Sequence, residues 1–212
     1  MINRQYFIKG LFLFLFLNFF GKSIAQPKLN PIRSILLESK ALTVQGDYGM
    51  NINGQAFQKE ALATFKGFQY GGFYNANRQL SIFRRNLRTN KIDILNFPYI
   101  LSKDDAHNTI SLGFCQKDGT LHIAFDHHNN TLNYIRSKKY LLDFPEKTTW
   151  KSSQFLSLSH QLDEEIEEVS YPSFVSMPDG NLQLFYRKGK SGDAQTWMAT
   201  YNAQQSQWQE RH

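Results

Sequence analysis

The chain has 212 residues, 41% hydrophobic and 15% aromatic, with 24 Lys and Arg against 18 Asp and Glu for a formal charge of +6. That length supports one domain with a substantial core, and the charge is too mild to argue for a nucleic-acid partner. Cys115 is the only cysteine, so no internal disulfide can staple the fold and stability has to come from packing.

The first element is "MINRQYFIKGLFLFLFLNFFGKSIAQ", with basic Arg4 and Lys9, an apolar run from Leu11 to Phe20, then Ser23, Ile24 and Ala25. This order predicts a secretory signal peptide over residues 1–25, cleaved after Ala25. A membrane anchor is the rival, but the run is about half of the roughly 20 residues a spanning helix needs. The residue directly after the cleavage position is Gln26 and not a cysteine, so a bacterial-type lipid anchor is not indicated. Removal takes away Arg4, Lys9 and Lys22, which halves the formal charge of +6. What remains, residues 26–212, is expected to be one secreted or periplasmic domain with no membrane association.

After Ala25, "IRSILLESKAL" (32–42) is the one stretch with helical spacing; the rest alternates, is rich in aromatics, and is punctuated by Gly, Asn and Asp. The predicted class is all-β. Three segments align on one another: "FQYGGFYNANRQLSIFRRNL" (68–87), "NTISLGFCQKDGTLHIAFDHH" (108–128) and "YPSFVSMPDGNLQLFYRKG" (171–189). Each is an apolar run, a polar turn and a second apolar run ending in charged or imidazole side chains. Their anchors Leu80, Leu121 and Leu182 are 41 and 61 residues apart, bracketing a four-stranded propeller blade, with the acidic loop "DEEIEE" as an insertion in the longer interval. "KDG" and "PDG" are tight-turn chemistry, since Gly119 and Gly180 can take positive φ. Later strands are expected at "KIDIL", at "TLNYIRS" with "TTWKSSQFL", and at "TWMATYN" with "SQWQE". The expectation is a partial β-propeller of about three four-stranded antiparallel blades. Closing a ring takes about 4 to 8 blades, so the chain is expected either to associate with something else or, the favoured reading, to be the truncated N-terminal part of a longer propeller.

In an antiparallel hairpin the start of the first strand and the end of the second lie at the same end, opposite the turn. His107 and Asn108 open one such strand, and Asp126, His127 and His128 end its partner. Tyr171 opens the next hairpin and Arg187 ends it. All seven are therefore expected on one rim. An imidazole or phenolate can take a proton from carbon, a phenol or imidazolium can return one to a leaving oxygen, and a guanidinium holds a carboxylate in bidentate fashion. Together they suit β-elimination on a uronic acid within a polysaccharide. Arg187 would neutralise the carboxylate, and the His/Tyr pair would act as base and acid. No metal or organic cofactor is obligatory for that chemistry.

Three stretches, "DDAHNTISLGFCQKDGTLHIAFDHH", "VSYPSFVSMPDGNLQLFYRKGKSGD" and "QYGGFYNANRQLSIFRRNL", resemble the BNR-repeat-containing family of polysaccharide-degrading bacteria, which is similar to the ulvan lyases of seven-bladed propeller fold. The resemblance covers roughly residues 40 to 210. It implies an anionic polysaccharide partner and an active site of a strand-opening His, a second His about twenty positions on, a Tyr, and an Arg sixteen beyond it. These positions fall on His107, on His127 or His128, on Tyr171 and on Arg187. The expected catalytic set is thus His107, His128, Tyr171 and Arg187, with Asn108, Asp126 and His127 contacting substrate. The departure from the family is length, since its further blades supply more substrate-binding residues and close the ring.

Other readings compete at single positions. His122, out of phase with His127, reads as a sheet-surface side chain. A zinc site from Asp126, His127 and His128 is disfavoured, because adjacent strand residues point to opposite faces. Cys115 reads as inert core, and Asp163 to Glu168 as a solvated loop. Two rivals remain for the whole domain: a sialidase-like hydrolase, which "KDG" and "PDG" faintly resemble, and a non-catalytic glycan-binding propeller.

Overall fold

The computed structural model describes residues 34–43, 51–54 and 60–211. The expected signal peptide over 1–25 lies outside them. Among the described residues there is no α-helix, and no helix is long and apolar enough to cross a membrane. The helix expected at 32–42 is absent from its described part, where the chain is irregular. Ala41 instead bridges Asn75, and the Leu42 N–H donates to the Tyr74 carbonyl at 2.9 Å. A sheet edge that offers backbone hydrogen bonds and a slot for Leu42 outweighs the weak helical preference of so short a stretch.

Three antiparallel sheets follow in chain order. β1 (Leu62–Phe65), β2 (Phe68–Tyr74), β3 (Gln79–Asn86) and β4 (Ile92–Ile100) form a four-stranded meander. β5 (Ile110–Cys115), β6 (Thr120–Phe125) and, after a short β7 (His128–Asn130), β8 (Tyr134–Arg136) supply the second sheet, in the order β5-β6-β8. β9 (Val169–Ser176), β10 (Leu182–Lys188), β11 (Gln195–Asn202) and β12 (Gln207–Arg211) make the third, in which β7 pairs with β9 to give five strands. Leu80, Leu121 and Leu182 occupy the second strand of each repeated hairpin, and all three are fully buried. Gly119 and Gly180 take φ of 63° and 82° in the two turns read as tight hairpins.

The strand expected at "TTWKSSQFL" is not formed; a single 3₁₀ turn, Ser152–Gln154, occupies it. Its aromatics are drawn inward instead. The Trp150 indole N–H donates to the Ile82 carbonyl at 3.1 Å, and Phe155 packs edge-on against Phe97. The end of the segment still runs beside β8, with Phe155 bridging Ser137 and the Leu156 N–H donating to the Arg136 carbonyl at 2.8 Å, but it forms no continuous ladder, so the second sheet has three strands where four were expected.

β5 lies close to β2 and to β9, which needs residues without a side chain at the points of contact. A Cβ at Gly72 would stand 2.7 Å from Ile110, and one at Gly113 would stand 2.5 Å from the Phe174 ring. Two apolar clusters result. Ile110, Leu112, Phe114, Leu121, Ile123 and Phe125 face the first, while Cys115 and Ala124 join Phe174, Leu184 and Trp208 in the second. Every residue of β5 and β6 is buried as a consequence.

That double burial corrects the surface reading of His122. It is fully buried, its Nδ1 at 2.6 Å from the Tyr134 hydroxyl and its Nε2 at 2.7 Å from the Thr120 hydroxyl. Cys115 is inert as expected, since burial pushes its thiol up to about 11. The carboxylates of Asp163, Glu164, Glu165 and Glu167 are exposed around a buried Ile166.

Candidate active site

The turn before β5 is shaped by Asp105. Its Oδ1 accepts the His107 backbone N–H at 2.9 Å, and its backbone carbonyl accepts the Asn108 N–H at 3.0 Å. This lifts His107 out at the strand's start while Asn108 turns inward. Past the end of β6, Asp126 takes a positive φ of 61° and the chain swings away from the second sheet. β7 then starts at His128, opposite Ser170 of β9. Tyr171 also has positive φ, 54°, in a bulge where Tyr171 and Pro172 face Tyr186 alone. Strained backbone in a β-rich aromatic is held only where the surroundings over-determine it, and such residues gather at functional sites.

These devices bring four predicted residues together. The His107 and His128 rings stack at 4.3 Å between centroids with 28° between planes. Tyr171 stands 5.9 Å from His107 and 6.3 Å from His128 by the same measure. The Arg187 guanidinium carbon lies 5.0 Å from the centre of the Tyr171 ring. Arg187 Nη2 donates to Asn129 Oδ1 at 3.4 Å and to the Ser170 hydroxyl at 3.3 Å, whereas its buried Nε has no hydrogen-bond partner. The cluster therefore holds two imidazoles, a phenol and a cation with unused donor capacity.

The three positions expected to contact substrate lie buried beneath this surface. Asn108 is 1% exposed, with its carbonyl accepting the Tyr74 hydroxyl at 2.8 Å. Asp126 is fully buried and accepts from Tyr99 Oη at 2.7 Å, Ser102 N at 2.8 Å and Ser102 Oγ at 2.9 Å. Burial drives its carboxyl pKa up against these hydrogen bonds. His127 is fully buried, accepting the Asn133 N–H on Nε2 at 2.7 Å with no partner for Nδ1. The sequence logic placed them at the correct end of the hairpin. It overlooked that the chain leaving β6 must pass through the junction between sheets before it surfaces at His128.

Sequence reasoning missed Asp105. Its Oδ1 lies 2.6 Å from His107 Nδ1 and its Oδ2 2.5 Å from His128 Nδ1. Burial raises the Asp105 carboxyl, but the His107 backbone N–H and both imidazoles outweigh it and hold the group below its usual value. The local hint was Asp-x-His in "DDAHN"; contact with His128, 23 residues on, was not legible. Asp105, His107 and His128 each offer a ligand atom within 4.8 Å of the others, the kind of set that borderline transition metals take. Here each Nδ1 lies at hydrogen-bond distance from its own carboxylate oxygen, with 28° between the ring planes.

Burial holds His127 neutral, its pKa lowered to about 3, and does the same to His122, with Arg136 adding to the effect. Below about pH 6.5 the unfolded chain takes up protons that these two positions refuse when folded. Folding stability should therefore be full above that pH and decline as the pH falls, levelling off as the folded-state values are passed. Denaturant midpoints between about pH 7 and about pH 5 measure the slope, which His127→Gln should reduce. A flat profile in the parent protein would contradict both assignments.

Comparison with known proteins adds a family and a fold. A family model described as "BNR repeat-containing family member" matches residues 68–212. The chain is 22% identical over 200 residues to the long isoform of an ulvan lyase from Alteromonas sp. (strain LOR), covering 76% of this chain and 20% of that protein. It superposes on the crystal structure of polysaccharide lyase Uly1 with a TM-score of 0.70 at 21% identity, covering 89% of this chain and 46% of that one. A PL25 ulvan lyase bound to -[GlcA(1-4)Rha3S]- shares the fold with a TM-score of 0.54 at 14% identity, over 80% of this chain and 40% of that one. The chain thus spans about a fifth of the length of the curated relatives it matches first.

Proposed function

The chain belongs to the BNR repeat-containing family, and from that premise we propose that it is a secreted, polysaccharide-lyase-like protein whose three sheets are consecutive blades of a β-propeller. Its substrate class is an anionic, uronate-containing polysaccharide, and its reaction is β-elimination. The observation that carries the reading is the meeting of His107, His128, Tyr171 and Arg187 from the ends of four different strands. Relatives named ulvan lyases, one of them bound to a glucuronate-rhamnose sulfate saccharide, support the substrate class.

Each group has a balanced role. Arg187 pairs with the uronate carboxylate and takes up charge as C5 loses its proton. An imidazole Nε2 accepts that proton, and the electrons of the C5–H bond become the C4=C5 double bond. The C4–O bond breaks, and the departing oxygen takes the Tyr171 phenol proton. The imidazolium then returns its proton to the phenolate, so the protein ends as it began. A hydrolase reading needs a paired acid and base carboxylate at the cleavage point. The carboxylate seen here, Asp105, is already bound to two imidazoles.

Incubation with a uronate-containing sulfated glycan tests the reaction class. Elimination should give growing ultraviolet absorbance from the conjugated uronide together with new chain ends. New ends without that absorbance would mean hydrolysis. Binding with neither would leave a glycan-binding propeller.

A further inference from the structure

We propose that Asp105 is a positioning residue that clamps His107 and His128 in one tautomer, with Nδ1 protonated and Nε2 carrying the lone pair on both rings. The proposal rests on the lyase reading for its consequence, but its geometry stands alone. A carboxylate has only acceptors to offer, so an imidazole nitrogen within 2.6 Å of it has to be the donor. Asp105 meets that condition twice, once with each oxygen. Its side chain is 13% exposed, with the rings at 20% and 23%, so little water competes for these contacts. The low carboxyl pKa of Asp105 fits an acceptor that stays ionised at neutral pH.

The clamp has a chemical consequence. A neutral imidazole takes a proton through the nitrogen that lacks one, so the ring that accepts the C5 proton does so through Nε2. When one of them gains the C5 proton, the shared carboxylate lies beside the new positive charge and steadies it.

The isosteric Asp105→Asn variant separates this from a merely structural role. An amide has one acceptor and one donor end. The His107 backbone N–H, 2.9 Å from Oδ1, keeps the carbonyl oxygen on the His107 side. The amide NH₂ then lies against His128 Nδ1, which can accept only by moving its proton to Nε2. Long-range proton–nitrogen correlation of the imidazoles in the full chain should show both rings protonated on Nδ1 in the parent, and His128 alone protonated on Nε2 in Asp105→Asn. Turnover of the uronate glycan should fall about 100-fold in kcat with little change in KM if His128 is the base, and Asp105→Glu should restore part of it. A parent ring found protonated on Nε2, or an Asn variant with unchanged tautomers, overturns the clamp. Tautomers as stated in a chain that cleaves no uronate glycan would confirm the clamp and remove the lyase reading.

Discussion

Exchanging Arg187 for lysine should lower the turnover of a uronate glycan by about 100-fold or more, measured as the rate of ultraviolet absorbance gain. Arg187 already uses Nη2 on Asn129 and Ser170, and it lies over the Tyr171 ring. A lysine ammonium can supply the charge, but neither the planar fork that meets two carboxylate oxygens nor the flat face that stacks on the phenol. The loss should fall on kcat as well as KM, because the carboxylate gains charge as the C5 proton leaves. Turnover within a few-fold of the parent would show that Arg187 is not the group that neutralises the substrate.

Asp126→Ala should destabilise the fold by about 3 to 5 kcal/mol, read from the denaturant midpoint. Three donors, the Tyr99 hydroxyl and the backbone and side chain of Ser102, would lose their acceptor inside the protein. The change also puts alanine at a φ of 61°, which Asp and Asn tolerate through local hydrogen bonding and alanine does not. Asp126→Asn should cost less, since it keeps one acceptor and accepts the backbone conformation. A near-parental midpoint for the alanine variant would mean that Asp126 does not anchor the turn into β7. Because that turn delivers His128, the alanine variant should also weaken the site before it unfolds the chain.

The contrast between Asp126 and His128 shows why part of the site could be read in advance. Hairpin periodicity locates a strand end within a residue or two, and the spacing of Tyr171 and Arg187 across one turn follows from antiparallel pairing alone. Which of three adjacent polar residues surfaces depends on the path between sheets, and that path is set by packing partners far along the chain. Trp150 shows the same effect in the fold. Its segment carries strand-like residues, yet the indole is held by the Ile82 carbonyl and by the Arg84 guanidinium, 5.2 Å from its ring.

Local patterning by itself determined that the described residues are all-β, where the repeated hairpins turn, and which end of them collects imidazole, phenol and guanidinium, because pleat, turn chemistry and antiparallel direction act over a few residues. Only the tertiary structure decided that His122 and His127 are core, that β7 crosses to pair with β9, and that Asp105 joins two histidines. Those outcomes depend on both faces of a sheet being covered by neighbours distant in sequence, and no local period records what will lie on the other side.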